Sequence, residues 1–268
     1  MTQKEVVAII PARISSERLP GKLLLEAGGK PLIVHTLEAV RGSERVSRVI
    51  VAVDDSKLMN AVSEAGGEAV MTSTSHRSGS DRIAEVASVL EGDPIIVNVQ
   101  GDEPMISHLV IDAAVDALIA DAMADIATTC EPIIDAGDVL SPDVVKVVTD
   151  GSGRALYFSR SPIPYPRDAV RLHGSLEAAL DSDPGLCAGF RKHTGLYVFR
   201  KHALMKFTGL EPAASEIAER LEQLRAIENG MIIKVVEVTE SSIGIDTEAD
   251  LERFREMLEA REAERASA

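Results

Sequence analysis

The chain reads as an α/β protein built on a mostly parallel, doubly wound sheet. Three observations predict this. Short apolar runs alternate with helical patterns through the first half, the βαβ rhythm of a parallel sheet with right-handed crossovers. The first run, Val6–Ile10, leads directly into a loop crowded with cations. The fourth ends in Asn98-Val99-Gln100-Gly101-Asp102-Glu103-Pro104, polar residues at the end of a strand, where open α/β sheets bind ligands. The 268 residues are 45% hydrophobic but only 3% aromatic, with no Trp, so the core must be built from Val, Ile, Leu and Ala.

In chain order, strands are expected at Val6–Ile10, Arg48–Val53, Glu68–Met71 and Pro94–Val99, with helices near Pro31–Val40, Ser56–Ala65 and Asp81–Leu90 between them. Three β-rich runs follow at Ile126–Ile133, Val144–Val148 and Ala155–Ser159. The stretch 161–189 breaks the rhythm with Pro162, Pro164, Pro166 and Pro184 and reads as an inserted excursion, either a contact surface or a mobile flap. Regular structure resumes with a strand at His193–Arg200, a helix at Ala214–Ile227, a strand at Ile232–Val238 and a helix at Glu248–Ala263. The whole, 1–268, is expected to form one domain.

A formal net charge of −15 argues against nucleic acid or an anionic membrane as partner. No apolar run approaches the length of a membrane span. Two cysteines, Cys130 and Cys187, with no signal-like segment ahead of the first strand, suit a reducing compartment and a cytoplasmic location. The six histidines are dispersed and show no zinc spacing.

Against that acidic background, Arg13, Arg18 and Lys22 fall within ten residues, in a loop broken by Ser, Pro and Gly. Three cations at the carboxyl end of a first parallel strand suit a polyphosphate; the bland alternative is a solvated basic loop. The spacing is not that of a Walker loop, since Ser16 stands where the first Gly belongs and Leu23 follows the lysine, and no G-x-G-x-x-G follows the first strand. A nicotinamide oxidoreductase is therefore disfavoured. Strand alternation would put Asn98, Gln100 and Asp102 on one face. A carboxylate near a polyphosphate is repulsive unless a cation lies between, which points Asp102 to Mg²⁺; a turn-forming Asp before Pro104 is the alternative. Asp246 is balanced between a helix N-cap and a second metal ligand, because Thr247 and Asp250 already form a capping pair.

Several motifs, in order, carry a resemblance: I-I-P-A-R-x-x-S-x-R-L-P-G-K from Ile9, H-R-S-G-S-D-R at 76–82, V-N-V-Q-G-D-E-P at 97–104, V-V-K-V-V at 144–148, L-Y-F-S-R at 156–160, L-E-Q-L-R at 221–225 and G-I-D-T at 244–247. Over nearly its whole length the chain resembles the 3-deoxy-manno-octulosonate cytidylyltransferase family, whose fold is a Rossmann-like nucleotidyltransferase sheet. The resemblance implies that Arg13 and Lys22, with Arg18 and Gln100 nearby, hold the CTP phosphates. It further implies that Asp102 and Asp246 bind Mg²⁺ and that Ser78, Arg82 and the backbone near Ala12 hold the cytidine. Lys22, Arg13 and Asp102 are the residues it makes catalytic. It places Arg160, His193, Tyr197 and Gln223 around an acidic eight-carbon sugar, whose carboxylate calls for a cationic or donor-rich partner such as Arg160 or His193. His193 is equally readable as a structural histidine. Glu219 and Gln223, four apart, would share one helical face.

The implied reaction is CTP plus 3-deoxy-manno-octulosonate (Kdo) giving CMP-Kdo and pyrophosphate, activating the sugar for lipopolysaccharide synthesis, in a homodimer. A cytidylyltransferase for an amino-substituted Kdo or another acidic sugar is the neighbouring reading, and a nucleotide-binding protein without turnover the more distant one. Retention of Arg13, Lys22, Asp102 and Asp246 together disfavours the last, since binding alone needs fewer of them.

Overall fold

The computed structural model describes residues 4–16, 18–240 and 244–267, the side chains of 262 and 264–267 excepted. In chain order these form β1 (Val6–Ala12), β2 (Glu26–Ala27), β3 (Lys30–Pro31), α1 (Leu32–Arg41), β4 (Arg48–Val53), α2 (Ser56–Glu64), β5 (Glu68–Met71), α3 (Gly79–Ser88), β6 (Ile95–Asn98) and α4 (His108–Ala120). They continue with β7 (Ile126–Pro132), α5 (Ala136–Leu140), β8 (Lys146–Thr149), β9 (Ala155–Ser159), α6 (Arg167–His173), α7 (Leu176–Ser182), β10 (Arg191–Arg200), α8 (Lys201–Thr208), α9 (Ala214–Glu219), α10 (Gln223–Glu228), β11 (Ile233–Glu237) and α11 (Glu248–Ser267). No helix among the described residues is long and apolar enough to cross a membrane. The chain divides into two compact units, one drawn from 1–112, 200–208 and 242–268, the other from 113–199 and 209–241.

The first unit holds a parallel sheet in the order β5-β4-β1-β6. Numbered by appearance, its four strands run 3-2-1-4, the doubly wound order, so the direction of winding reverses between β1 and β6. Right-handed crossovers then place α1 and α2 on one face and α3 on the other. The strands are buried on both faces, which is why they read as unbroken Val/Ile runs: Val7 through Ile10 and Val51 through Val53 are fully covered. Helix starts are set locally. The Asp55 carboxylate accepts the Lys57 N–H at 2.7 Å to open α2, and Ser78 Oγ accepts the Asp81 N–H at 3.1 Å. The Ser78 cap starts α3 two residues earlier than its apolar periodicity alone suggests. β1 likewise continues past Ile10, because Pro11 and Ala12 still pair with Ala52 and Val53 of β4.

The second unit is mixed, not parallel. β7 lies between β11, which it pairs in parallel, and β10, which it pairs antiparallel; β8 and β9 form an antiparallel pair. The excursion at 161–189 has regular structure of its own. It carries α6, α7 and a 3-10 segment at Pro184–Gly189, and buries Leu180 and Cys187 with Ile133, Val139 and Phe190 in a small core. The single helix expected over Ala214–Ile227 is two. Arg220, at φ 52°, is left-handed and ends α9, so Glu219 and Gln223 do not share a continuous helical face.

Candidate active site

The reversal of winding between β1 and β6 creates a crevice beyond their carboxyl ends, and the basic loop leaves β1 there. Asp54, just beyond β4, anchors that loop by accepting the Ile14 N–H at 2.9 Å. Gly21, at φ 67°, turns the chain into a 3-10 segment at Lys22–Leu24, a conformation that favours glycine. From β6, Gly101 passes so near β1 that a Cβ would lie 3.0 Å from the Pro11 carbonyl oxygen and 3.3 Å from Leu23. The Gln100–Asp102 turn is thereby pressed against the start of the basic loop.

A cleft of about 320 Å³ lies here, lined by Arg13, Lys22, Arg77, Ser78, Gln100 and Asp102 among others, a size suited to a small ligand. The Lys22 side chain is largely buried, and its ammonium donates to Asp102 Oδ2 at 2.5 Å and Asp246 Oδ1 at 3.0 Å. Burial alone would lower the Lys22 pKa; the adjacent Asp102 and Asp246 outweigh it and hold it above its ordinary value. Arg18 adds a second contact to Asp246, 2.8 Å from Oδ1. Arg13, Arg18, Lys22 and Arg77 set against Asp102 and Asp246 leave a local surplus of two positive charges in a chain of net charge −15. A nucleoside triphosphate carries about four negative charges, which that surplus and one divalent cation would balance. The N-terminus of α3 opens on the same cleft through Ser78 and Gly79 and adds its positive dipole end.

Asp246 does not cap α11. Thr247 and Asp250 do that reciprocally: Asp250 Oδ2 accepts the Thr247 N–H at 2.9 Å, and Thr247 Oγ1 accepts the Asp250 N–H at 3.2 Å. The Asp246 carboxylate is left to face Lys22 and Arg18. Two carboxylates thus converge on one ammonium, a cation position with two oxygen ligands already in place. Among the described residues no group of three or more acidic, His or Cys side chains forms a self-sufficient metal cage. Two protein oxygens with the remainder from phosphates and water is the donor set that suits Mg²⁺.

The other nucleotide-side residues divide. Gln100 and Ser78 line the cleft. Ala12 is fully buried in β1, and its neighbours Pro11 and Arg13 form the wall instead. Arg82 is fully buried and does not line the cleft; it donates to Thr72 Oγ1 at 2.5 Å and to Asp54 Oδ2 at 3.1 Å. Burial lowers its pKa, with Asp54 opposing. Arg82 and Asp54 therefore brace the loop that presents Arg13. Asn98 is buried within β6 and is not brought to the cleft with Gln100 and Asp102, because the strand ends there and alternation stops with it. Arg77 and Asp54 are the residues that sequence reasoning passed over; Arg77 lies inside the quoted 76–82 motif, and Asp54 immediately follows a strand.

Arg160, His193, Tyr197 and Gln223 belong to the second unit. His193 and Tyr197 flank an irregularity in the β10–β7 pairing, and their rings lie 5.3 Å apart; Phe158 meets His193 edge-on at 5.0 Å. Burial pushes the His193 pKa down to about 4 and raises that of Tyr197, with Glu222 adding to the rise. Thr128 Oγ1 donates to the Leu196 carbonyl at 2.6 Å, so toward His193 Nε2, at 2.8 Å, it acts as acceptor. The network thus assigns a neutral imidazole protonated on Nε2, with Nδ1 as an acceptor. Gln223 is buried at the start of α10.

A family model described as Cytidylyltransferase matches residues 7–237. The 3-deoxy-manno-octulosonate cytidylyltransferase of Geobacter metallireducens is 48% identical over 254 residues, 95% of this chain and 98% of that protein. Its counterpart in Geobacter sulfurreducens is 48% identical over 253 residues, 94% and 99% of the two chains. A solved structure of CMP:2-keto-3-deoxy-manno-octonic acid synthetase complexed with CTP superposes with a TM-score of 0.85 at 39% identity, covering 96% of this chain and 99% of its own. A 4-diphosphocytidyl-2C-methyl-D-erythritol synthase from Anaerococcus prevotii, at 18% identity and TM-score 0.61, shares the fold. The chain belongs to the cytidylyltransferase family. Within it, the similarity is to the members that carry the Kdo-activating name.

Proposed function

We propose that this protein transfers CMP from CTP to Kdo, releasing pyrophosphate and forming CMP-Kdo. The observation that carries the reading is the cationic cleft at the β1/β6 reversal, where Lys22 is held between Asp102 and Asp246 in a chain of this family. The anomeric hydroxyl of the sugar attacks the α-phosphorus in line, and pyrophosphate leaves. Such a transfer depends on positioning and charge neutralisation, with no covalent intermediate on the protein. Arg13 and Lys22 hold the phosphates and offset the charge that builds on the departing pyrophosphate. Ser78, whose hydroxyl proton is not used in capping, and Gln100 orient the nucleotide.

Asp102 and Asp246 would hold Mg²⁺, which when bound supplies charge neutralisation and lowers the pKa of a coordinated hydroxyl. On the sugar side, a neutral His193 with Nδ1 as acceptor suits a sugar hydroxyl and not a carboxylate. The carboxylate falls to Arg160, a permanent cation with a forked donor. A homodimer, as the resemblance implies, in the cytoplasm, as the two cysteines suggest, completes the proposal. The test is pyrophosphate release from CTP, Kdo and Mg²⁺ with each component omitted in turn. The proposal expects release only with all three; release from CTP and Mg²⁺ without sugar would make the protein a hydrolase, and none at all a binding protein.

A further inference from the structure

Arg160 is held at four points. Its backbone N–H donates to Glu219 Oε2 at 2.9 Å, and its carbonyl accepts from Lys146 Nζ at 2.6 Å. Its Nε donates to the Glu219 carbonyl at 2.7 Å, and its Nη1 to the Pro142 carbonyl at 2.9 Å. Glu219 also accepts from Ser159 Oγ at 2.6 Å, so one residue fixes two consecutive positions, the last of β9 and the one that follows it. The geometry that lets it do so is the left-handed Arg220 at φ 52°, the non-glycine residue with positive φ among those described. Such a conformation costs free energy and persists only where the surroundings over-determine it. Ending α9 there points both the Glu219 carboxylate and its carbonyl at β9. Lys146, fully buried with its three donors spent on the carbonyls of Ser141, Val144 and Arg160, braces the same segment from behind. Yet the Arg160 side chain is only partly buried, and Nη2 has no hydrogen-bond partner among the described residues. A guanidinium locked at Nε and Nη1 with its remaining donors open is prepared for an anion.

We propose that Glu219 is a positioning residue for sugar recognition, holding Arg160 in the orientation that receives the carboxylate of the acidic sugar. This rests on the assignment of Arg160 to that carboxylate. The assignment is tested separately by Arg160→Ala, which should raise the sugar KM strongly and leave the CTP KM within twofold. Glu219→Ala removes the carboxylate that holds the Arg160 N–H and Ser159 Oγ while keeping the main-chain carbonyl that takes Nε; it should raise the sugar KM about tenfold, the order expected for loss of a hydrogen bond involving a charged group, again sparing the CTP KM. Glu219→Gln, which keeps the shape and one acceptor, should fall between. The decisive readout is the double variant, because two residues acting through one guanidinium are not additive. Glu219→Ala in the Arg160→Ala background should add less than twofold to the sugar KM. Additive effects would overturn the proposal, as would an unchanged sugar KM in Glu219→Ala or a matching rise in the CTP KM. An unchanged sugar KM in Arg160→Ala removes the Arg160 assignment and the proposal with it.

Discussion

Replacing Lys22 by Met keeps an unbranched side chain as far as Cε and removes the ammonium with its charge, leaving Asp102 and Asp246 to face each other. The ammonium lies 2.5 and 3.0 Å from their oxygens, so those oxygens are separated by at most the sum of the two lengths, about 5.5 Å. Two unit charges at that distance repel by about 0.8 kcal/mol in a water-like dielectric and about 3 kcal/mol at an effective dielectric of 20. With side-chain exposures of 30% and 40%, the carboxylates fall between these limits. Lys22→Met should therefore lose about 1–3 kcal/mol, or roughly 2–5 °C in Tm for a chain of this size. Turnover should drop about 10² to 10³-fold, the usual loss for one preorganised charge contact. Removing the ammonium also vacates the cation position between the carboxylates. A divalent-ion affinity of about 1 mM there would return about 1.4 kcal/mol at 10 mM Mg²⁺. Thermal melts of wild type and variant, with and without Mg²⁺ and in the absence of nucleotide, read this directly. Mg²⁺ should raise the Tm of Lys22→Met and leave wild type nearly unmoved. Equal Mg²⁺ responses, or turnover within threefold of wild type, would refute the reasoning.

Asp246→Asn should leave helix α11 intact, since Thr247 and Asp250 supply its cap, while turnover collapses and excess Mg²⁺ restores part of it; near-normal activity at low Mg²⁺ would count against Asp246 as a ligand. His193 should make the fold acid-sensitive. Its folded pKa lies near 4 against 6.5 unfolded, so the stability of the neutral form is complete above pH 6.5 and is lost as pH falls toward 4. The loss is at most about 3 kcal/mol, and less in so far as the partly buried ring is reached by solvent; a His193→Asn variant whose stability falls as steeply over that range would contradict it. Gly101→Ala forces a Cβ to within 3.0 Å of the Pro11 carbonyl and should cost about 1–3 kcal/mol, seen as a lower urea midpoint at unchanged m-value.

Much of the first unit was legible in the chain because its strands are buried on both faces and its turns are punctuated by Pro and Gly. The charged loop, the Asp102 turn and the Thr247/Asp250 cap follow from local chemistry, and the structure brings Arg13, Lys22, Asp102 and Asp246 together. What escaped was set by tertiary contact. α4 is apolar around most of its circumference, burying Val110, Ile111, Ala114, Val115 and Leu118, and so shows little periodic contrast. The break at Arg220 has no glycine or proline to announce it; it is imposed by what Glu219 reaches. Arg82 carries a charge and so reads as a ligand contact, yet Asp54 and Thr72 draw it entirely inside. The antiparallel pairing of β10 could not be read from apolar runs, which carry no strand direction.

On this protein the proposed step is attack of the sugar hydroxyl on CTP to take CMP. Kdo labelled with ¹⁸O at the anomeric oxygen, mixed with CTP, Mg²⁺ and excess enzyme, tests it in one ³¹P NMR experiment. A phosphodiester signal and pyrophosphate should grow in equal amounts, with the isotope shift on the diester phosphorus alone. Label on pyrophosphate, or CTP consumed to CMP with no diester formed, would contradict it.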